Sequence, residues 1–147
     1  MGTPVTTVLA FDYGGRRTGV AVGQTITGSA RALTTLTSVG TGPDWAAIDR
    51  LLDEWRPDLL LVGLPQRDDG SDSPQTLAAR AFARELEERG IRVALVNEHL
   101  TYNEASRALA EARSDGSRRR RVRKEDIDAL AAVLIAEQWL RAAPDEI

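Results

Sequence analysis

The chain opens with three runs in which apolar and polar positions alternate, over about residues 5–12, 18–24 and 27–36, parted by glycine-bearing turns. Period-two alternation belongs to strands with one covered face, and the short turns join the runs into an antiparallel meander. After Gly40-Thr41-Gly42-Pro43 the period changes. Trp45, Ile48, Leu51, Leu52 and Trp55 recur at helical spacing, Asp44 stands at the N-cap position, and Pro57 ends the helix. Residues 58–65 are a nearly unbroken apolar run, as expected of a central strand covered on both faces and paired in parallel. A polar loop, 66–73, leads through Pro74 into a helix over about 75–89 that Gly90 closes. The run 91–96 reads as a strand ending at Asn97 and Glu98. A helix over about 101–113 follows, with Thr101 and Glu104 forming a capping box. A polar segment, 114–124, separates it from a last helix near 125–142.

This order predicts an α/β protein: a five-stranded mixed sheet flanked by helices, antiparallel in its first part and parallel in the second. There is no repeat and no linker, so residues 1–147 read as one domain, long enough to bury a core without staples. Cysteine is absent, which removes disulfides and thiolate metal sites and fits a reducing cytoplasm. No apolar run approaches the roughly 20 residues of a membrane span, and the N-terminus lacks a targeting pattern. A soluble cytoplasmic protein with no membrane partner is the expectation. The formal net charge is −3, yet nearly a third of the 19 basic residues fall in the stretch 118–124, RRRRVRK. Such a cluster is either a solvated loop or a grip on phosphates through the forks of Arg118, Arg119, Arg120 and Arg121.

Three acids stand where chemistry is plausible on physical grounds. Asp12 closes the first strand just before Gly14-Gly15, Glu98 follows the fifth strand, and Asp128 shares a helical stripe with Ala132, Ile135 and Trp139. A carboxylate on an apolar stripe costs several kcal/mol unless a cation or donors satisfy it. Three converging carboxylates suit Mg²⁺ or Mn²⁺, hard cations able to promote phosphodiester hydrolysis without Cys or His. The plain alternatives are a turn hydrogen bond for Asp12, a helix-preceding charge for Glu98, and a first-turn acid favoured by the helix dipole for Asp128. His99, the sole histidine, is either a proton shuttle or incidental. The 66–73 loop is either a surface turn or a lid.

Taken together, Phe11-Asp12-Tyr13-Gly14, Thr18 to Gly23, Val62-Gly63-Leu64-Pro65 with Asp69-Gly70, Glu98 with Leu100-Thr101, Glu104-Ala105 and Ile127-Asp128 resemble the YqgF family, known as Holliday junction resolvases and as pre-16S rRNA nucleases. The resemblance implies an RNase H-like fold with strand order 3-2-1-4-5. It also implies a metal-dependent nuclease in which Asp12, Glu98 and Asp128 are catalytic and hold Mg²⁺ or Mn²⁺. Asn97 and His99 depart from the acid and the base that commonly flank the glutamate, and Tyr102 stands where Ser or Thr is usual.

The leading expectation is hydrolysis of phosphodiester bonds at the 5′ end of pre-16S rRNA during ribosome biogenesis. Arg16, Arg17 and Arg118 to Arg121 would grip the nucleic-acid backbone. Pre-rRNA is the favoured partner, branched DNA and pre-ribosomal particles are further ones, and the state is a monomer or homodimer. A Holliday junction resolvase is the first alternative. The second is a non-catalytic, ribosome-associated RNA-binding factor working through its arginine loop. An ATP-handling relative is disfavoured, because such folds duplicate the domain to close over a nucleotide.

Overall fold

The structure, a computed structural model, describes residues 5–97 and 124–142. β1 (Thr7–Tyr13), β2 (Arg17–Gln24) and β3 (Ser29–Thr37) form the expected meander. They are followed by α1 (Trp45–Trp55), β4 (Leu59–Leu64), α2 (Pro74–Glu87), β5 (Val93–Asn97) and α3 (Lys124–Ala142). The helix expected over 101–113 lies outside the described residues. The sheet order is β3-β2-β1-β4-β5. β2 pairs antiparallel with β1 and β3, while β4 lies parallel to β1 and β5. That is the arrangement expected from the alternation of the first three runs and the continuous apolar fourth, whose six residues are all buried.

Alternation along β1 sorts its side chains onto two covered faces. Leu9 and Phe11, with Val20, Val22, Leu60 and Val62, meet Ile48 and Leu52 of α1 and Ala79, Phe82 and Leu86 of α2. Val8 and Ala10, with Leu59, Leu61 and Val96, meet Ile135 and Ala136 of α3 on the other face. Ala21 of β2 adds contacts to Ala132 and Val133. The alanines of α3 leave little bulk between helix and sheet, which brings the helix backbone close to β2.

The helix ends obey local rules, and the bounds of α2 differ from those expected. α1 stops at Arg56, in the left-handed region (φ 44°, ψ 58°), whose N–H donates to the Leu52 carbonyl. The chain thus leaves helical geometry one residue before Pro57, whose ring disfavours that geometry in its predecessor. Asp44 caps α1 by accepting from the Ala47 amide at 3.1 Å. α2 begins at Pro74 behind a capping box of Ser73 and Thr76. It ends at Glu87, two residues early, and Gly90 (φ 83°) then donates its N–H to the Glu87 carbonyl.

Among the described residues no helix is long and apolar enough to cross a membrane. The 66–73 loop folds on itself as a small hairpin. Gln66 and Asp72 bridge, and the Arg67 amide donates to the Ser71 carbonyl at 3.0 Å.

Candidate active site and nucleic-acid interface

Asp12 belongs to the even-numbered side of β1, the side of Val8 and Ala10, which faces α3. Its neighbour Tyr13 is locked to the opposite face, its ring stacked on Phe82 with centroids 4.7 Å apart. The strand therefore presents the Asp12 carboxylate, half-buried, toward the helix that carries Asp128.

Across the ladder Asp12 pairs with Gly19 of β2. Gly19 is where sheet and helix backbones touch. A Cβ built there would lie 2.9 Å from the Ala129 nitrogen and closer still to the carbonyl carbon and oxygen of Asp128. Only a residue without a side chain allows this approach, the usual meaning of a glycine inside a strand. Asp12, the ladder partner of Gly19, and Asp128, whose carbonyl packs on Gly19, thus both adjoin one closely packed point.

Arg17 lies two residues before Gly19, on the same face of β2. Its Nε donates to an oxygen of the Asp128 carboxylate at 2.7 Å, with the two side chains 28% and 17% exposed. A charge-assisted bond of that length, partly screened from water, fixes the direction of the carboxylate. Asp128 is the fifth residue of α3, beyond the first turn, so its partner here is Arg17 rather than the amides of a helix start.

Asp12, Asp128 and Arg17 are therefore gathered at one end of the sheet, with Arg16 exposed beside them in the β1–β2 turn. That turn is closed by the Gly14 amide donating to the Arg17 carbonyl at 2.9 Å, and only Gly15 of its two glycines takes a positive φ, 89°. Glu98, His99 and Arg118 to Arg121 lie outside the described residues. β5 ends at Asn97, whose carbonyl accepts from Nε2 of Gln138 at 2.9 Å, so α3 is tied to the end of that strand. Two features escape the sequence reading: the role of Gly19 as the contact point for α3, and a cleft of about 430 Å³ beside Arg16 and Arg17. A glycine within an alternating run signals the first; no local pattern signals the second.

The donor chemistry fits a hard divalent cation. Asp12 and Asp128 are carboxylates on facing elements, and hard oxygens are what Mg²⁺ and Mn²⁺ select. Among the described residues no group of three acidic or imidazole side chains is clustered, so these two are the part of the expected triad within view.

A family model described as RuvX: Holliday junction resolvase matches residues 6–142. A protein of Xanthomonas axonopodis pv. citri (strain 306) named "Putative pre-16S rRNA nuclease" is 47% identical over 144 residues, covering 97% of this chain and 92% of its own. Among solved structures, T. thermophilus RuvC in complex with Holliday junction substrate superposes with a TM-score of 0.51 at 19% identity, covering 93% of this chain and 94% of that one. The fowlpox virus resolvase bound to Holliday junction DNA gives 0.55 at 12% identity, covering 92% and 99%. At such identities the likeness is one of fold: the 3-2-1-4-5 mixed sheet between helices is the RNase H-like arrangement. With the family model spanning nearly the whole chain and a relative at almost half identity, this chain belongs to the RuvX Holliday junction resolvase family.

Proposed function

We propose that this protein is a metal-dependent nuclease that hydrolyses phosphodiester bonds and processes the 5′ end of pre-16S rRNA. The observation that carries the reading is the pair Asp12 and Asp128, held on facing elements that meet at Gly19. Family membership supports the reaction class, and the rRNA substrate is the one named for the relative at 47% identity.

In this reading Asp12 and Asp128, with Glu98 as third acid, hold Mg²⁺ or Mn²⁺. The bound dication supplies Lewis acidity and positive charge beside the scissile phosphate. The chain supplies the rest. β1 and α3 fix the two carboxylates before substrate arrives, so little reorganisation is needed on binding. Arg17 keeps the Asp128 carboxylate in one orientation. Arg16 and Arg118 to Arg121 hold the strand through its phosphates, which positions it without reading its sequence.

The test is cleavage of matched pre-16S rRNA and four-way DNA junction substrates, in Mg²⁺ or Mn²⁺, by the wild type and Asp12→Asn. The variant is expected to lose at least about a hundredfold in rate, the scale set by losing an electrostatic group in an active site, with its melting temperature nearly unchanged. Equal rates for the two proteins would overturn the nuclease reading. Cleavage of the junction alone would move the substrate to branched DNA, the activity in the family description.

A further inference from the structure

Beside the carboxylates, at the end of the β2–β3 pair, a cleft of about 430 Å³ opens between the β1–β2 turn and the chain that leaves β3. Gly15, Arg16 and Arg17 form one wall, and Thr37, Ser38 and Thr41 stand on the other. Among the described residues that line it, none carries an acidic, aliphatic or aromatic side chain. Of the acids in the neighbouring elements, Asp128 accepts from Arg17, and Asp44 caps α1 through the Ala47 amide.

The two walls are tied together at Ser38. The Ser38 amide donates to the Arg16 carbonyl at 2.9 Å, and the Ser38 hydroxyl donates to the Gly15 carbonyl. Beyond Ser38, Val39 and Gly42 exchange N–H···O bonds of 2.9 and 3.2 Å around Gly40, whose φ is 62°. The cleft is thus built in advance, by bonds that do not consume the side chains of Arg16 and Thr41, two of the residues that line it.

We propose that this cleft is a subsite for one backbone phosphate of a nucleic-acid strand, away from the bond that is cut. It rests on the nuclease reading for its substrate class. A phosphodiester carries one negative charge and two free oxygens, matched by a guanidinium fork on one side and hydroxyls on the other. The cleft's volume exceeds that of a lone phosphate ion and leaves room for the flanking sugars. Arg17 reaches both places, lining the cleft while its Nε holds Asp128, so a strand seated here runs past the carboxylates.

The experiment measures binding of a fluorescein-labelled single-stranded RNA by anisotropy in EDTA, where no cleavage occurs, across a salt series. Arg16→Gln and Thr41→Val are compared with Arg50→Gln, an exposed arginine of α1 on the opposite face of the sheet. Arg16→Gln is expected to weaken binding about tenfold and to flatten the plot of log K against log salt by about 0.7, the slope lost with one single-strand phosphate contact. Thr41→Val should weaken binding less and leave the slope unchanged, while Arg50→Gln should match the wild type. Melting temperatures verify folding. An unchanged slope in Arg16→Gln, or an equal loss in Arg50→Gln, would overturn the subsite. So would displacement of RNA from the wild type by inorganic phosphate at fixed ionic strength, which would mark a free-anion site. Because no bond is cut in this assay, the subsite stands or falls separately from the Asp12→Asn result.

Discussion

Gly19 lies directly against the carbonyl of Asp128, with no space between strand and helix for even a methyl group. The neighbour that must give is backbone, which cannot swing aside as a side chain would. Gly19→Ala is therefore expected to push α3 off β2, lower stability by at least about 2 kcal/mol and reduce cleavage by at least tenfold. Gly15→Ala is the contrast. Its position has nothing within 4 Å but a φ of 89°, so only backbone strain of about 1 kcal/mol applies. Chemical denaturation and single-turnover cleavage of both variants check the pair, and equal effects would contradict the close approach.

Much of this arrangement is legible in the sequence because alternation and helical period are local. Alternation through Val8, Ala10 and Asp12 places the acid on one face, and the stripe Asp128, Ala132, Ile135 places the other acid against the sheet. What stays hidden is pairing over distance. A glycine at 19 announces a close approach, but not that residue 128 makes it. Arg17 reads as a phosphate ligand, while its 111-residue separation from Asp128 conceals the ion pair between them. The cleft beside Arg16 is invisible for a similar reason, since its walls are joined by backbone bonds from Ser38. Arg56 entering the left-handed region is likewise unannounced, because an arginine carries no preference for it.

The Arg17–Asp128 pair makes a prediction about metal. A guanidinium already bonded to a carboxylate opposes a dication sharing that carboxylate, so removing it should tighten binding while loosening the geometry. Arg17→Gln is expected to bind Mn²⁺ roughly fivefold more tightly, about 1 kcal/mol for a partly exposed pair. Its kcat should nonetheless fall, and Arg17→Lys should restore part of it. Titration of Mn²⁺ followed by electron paramagnetic resonance, alongside kcat and KM, separates the two effects. Weaker Mn²⁺ binding in Arg17→Gln would contradict the competition.

Thr76 is fully buried at the first turn of α2. Its hydroxyl donates to the Pro65 carbonyl, just past β4, and accepts from the Ser73 amide at 2.8 Å. Thr76→Val keeps the shape but strands both partners, a cost of about 1–3 kcal/mol. Urea unfolding should show that loss, with kcat within about twofold of wild type, because α2 covers the face opposite Asp12. A stability change below about 0.5 kcal/mol would mean that water replaces the lost hydroxyl.

At the far end of the sheet, Asp58 joins the start of β4 to the start of β1. One of its oxygens accepts from the Thr7 amide at 3.0 Å, the Thr6 amide at 2.9 Å and the Thr6 hydroxyl at 2.9 Å. The Thr7 amide, followed by that of Thr6, holds its carboxyl below the ordinary 3.8, against the smaller upward push of burial. A carboxylate whose folded pKa is depressed stabilises the fold fully above the unfolded value, and that stabilisation fades as pH falls through 3.8 toward the folded value. Asp58→Asn should therefore cost about 1 kcal/mol at pH 7, a figure discounted for solvent around the group. The gap between variant and wild type should shrink on going to pH 3. Urea unfolding of both proteins at the two pH values measures it, and a gap that stayed constant would show that the charge of Asp58 contributes nothing to joining the two strands.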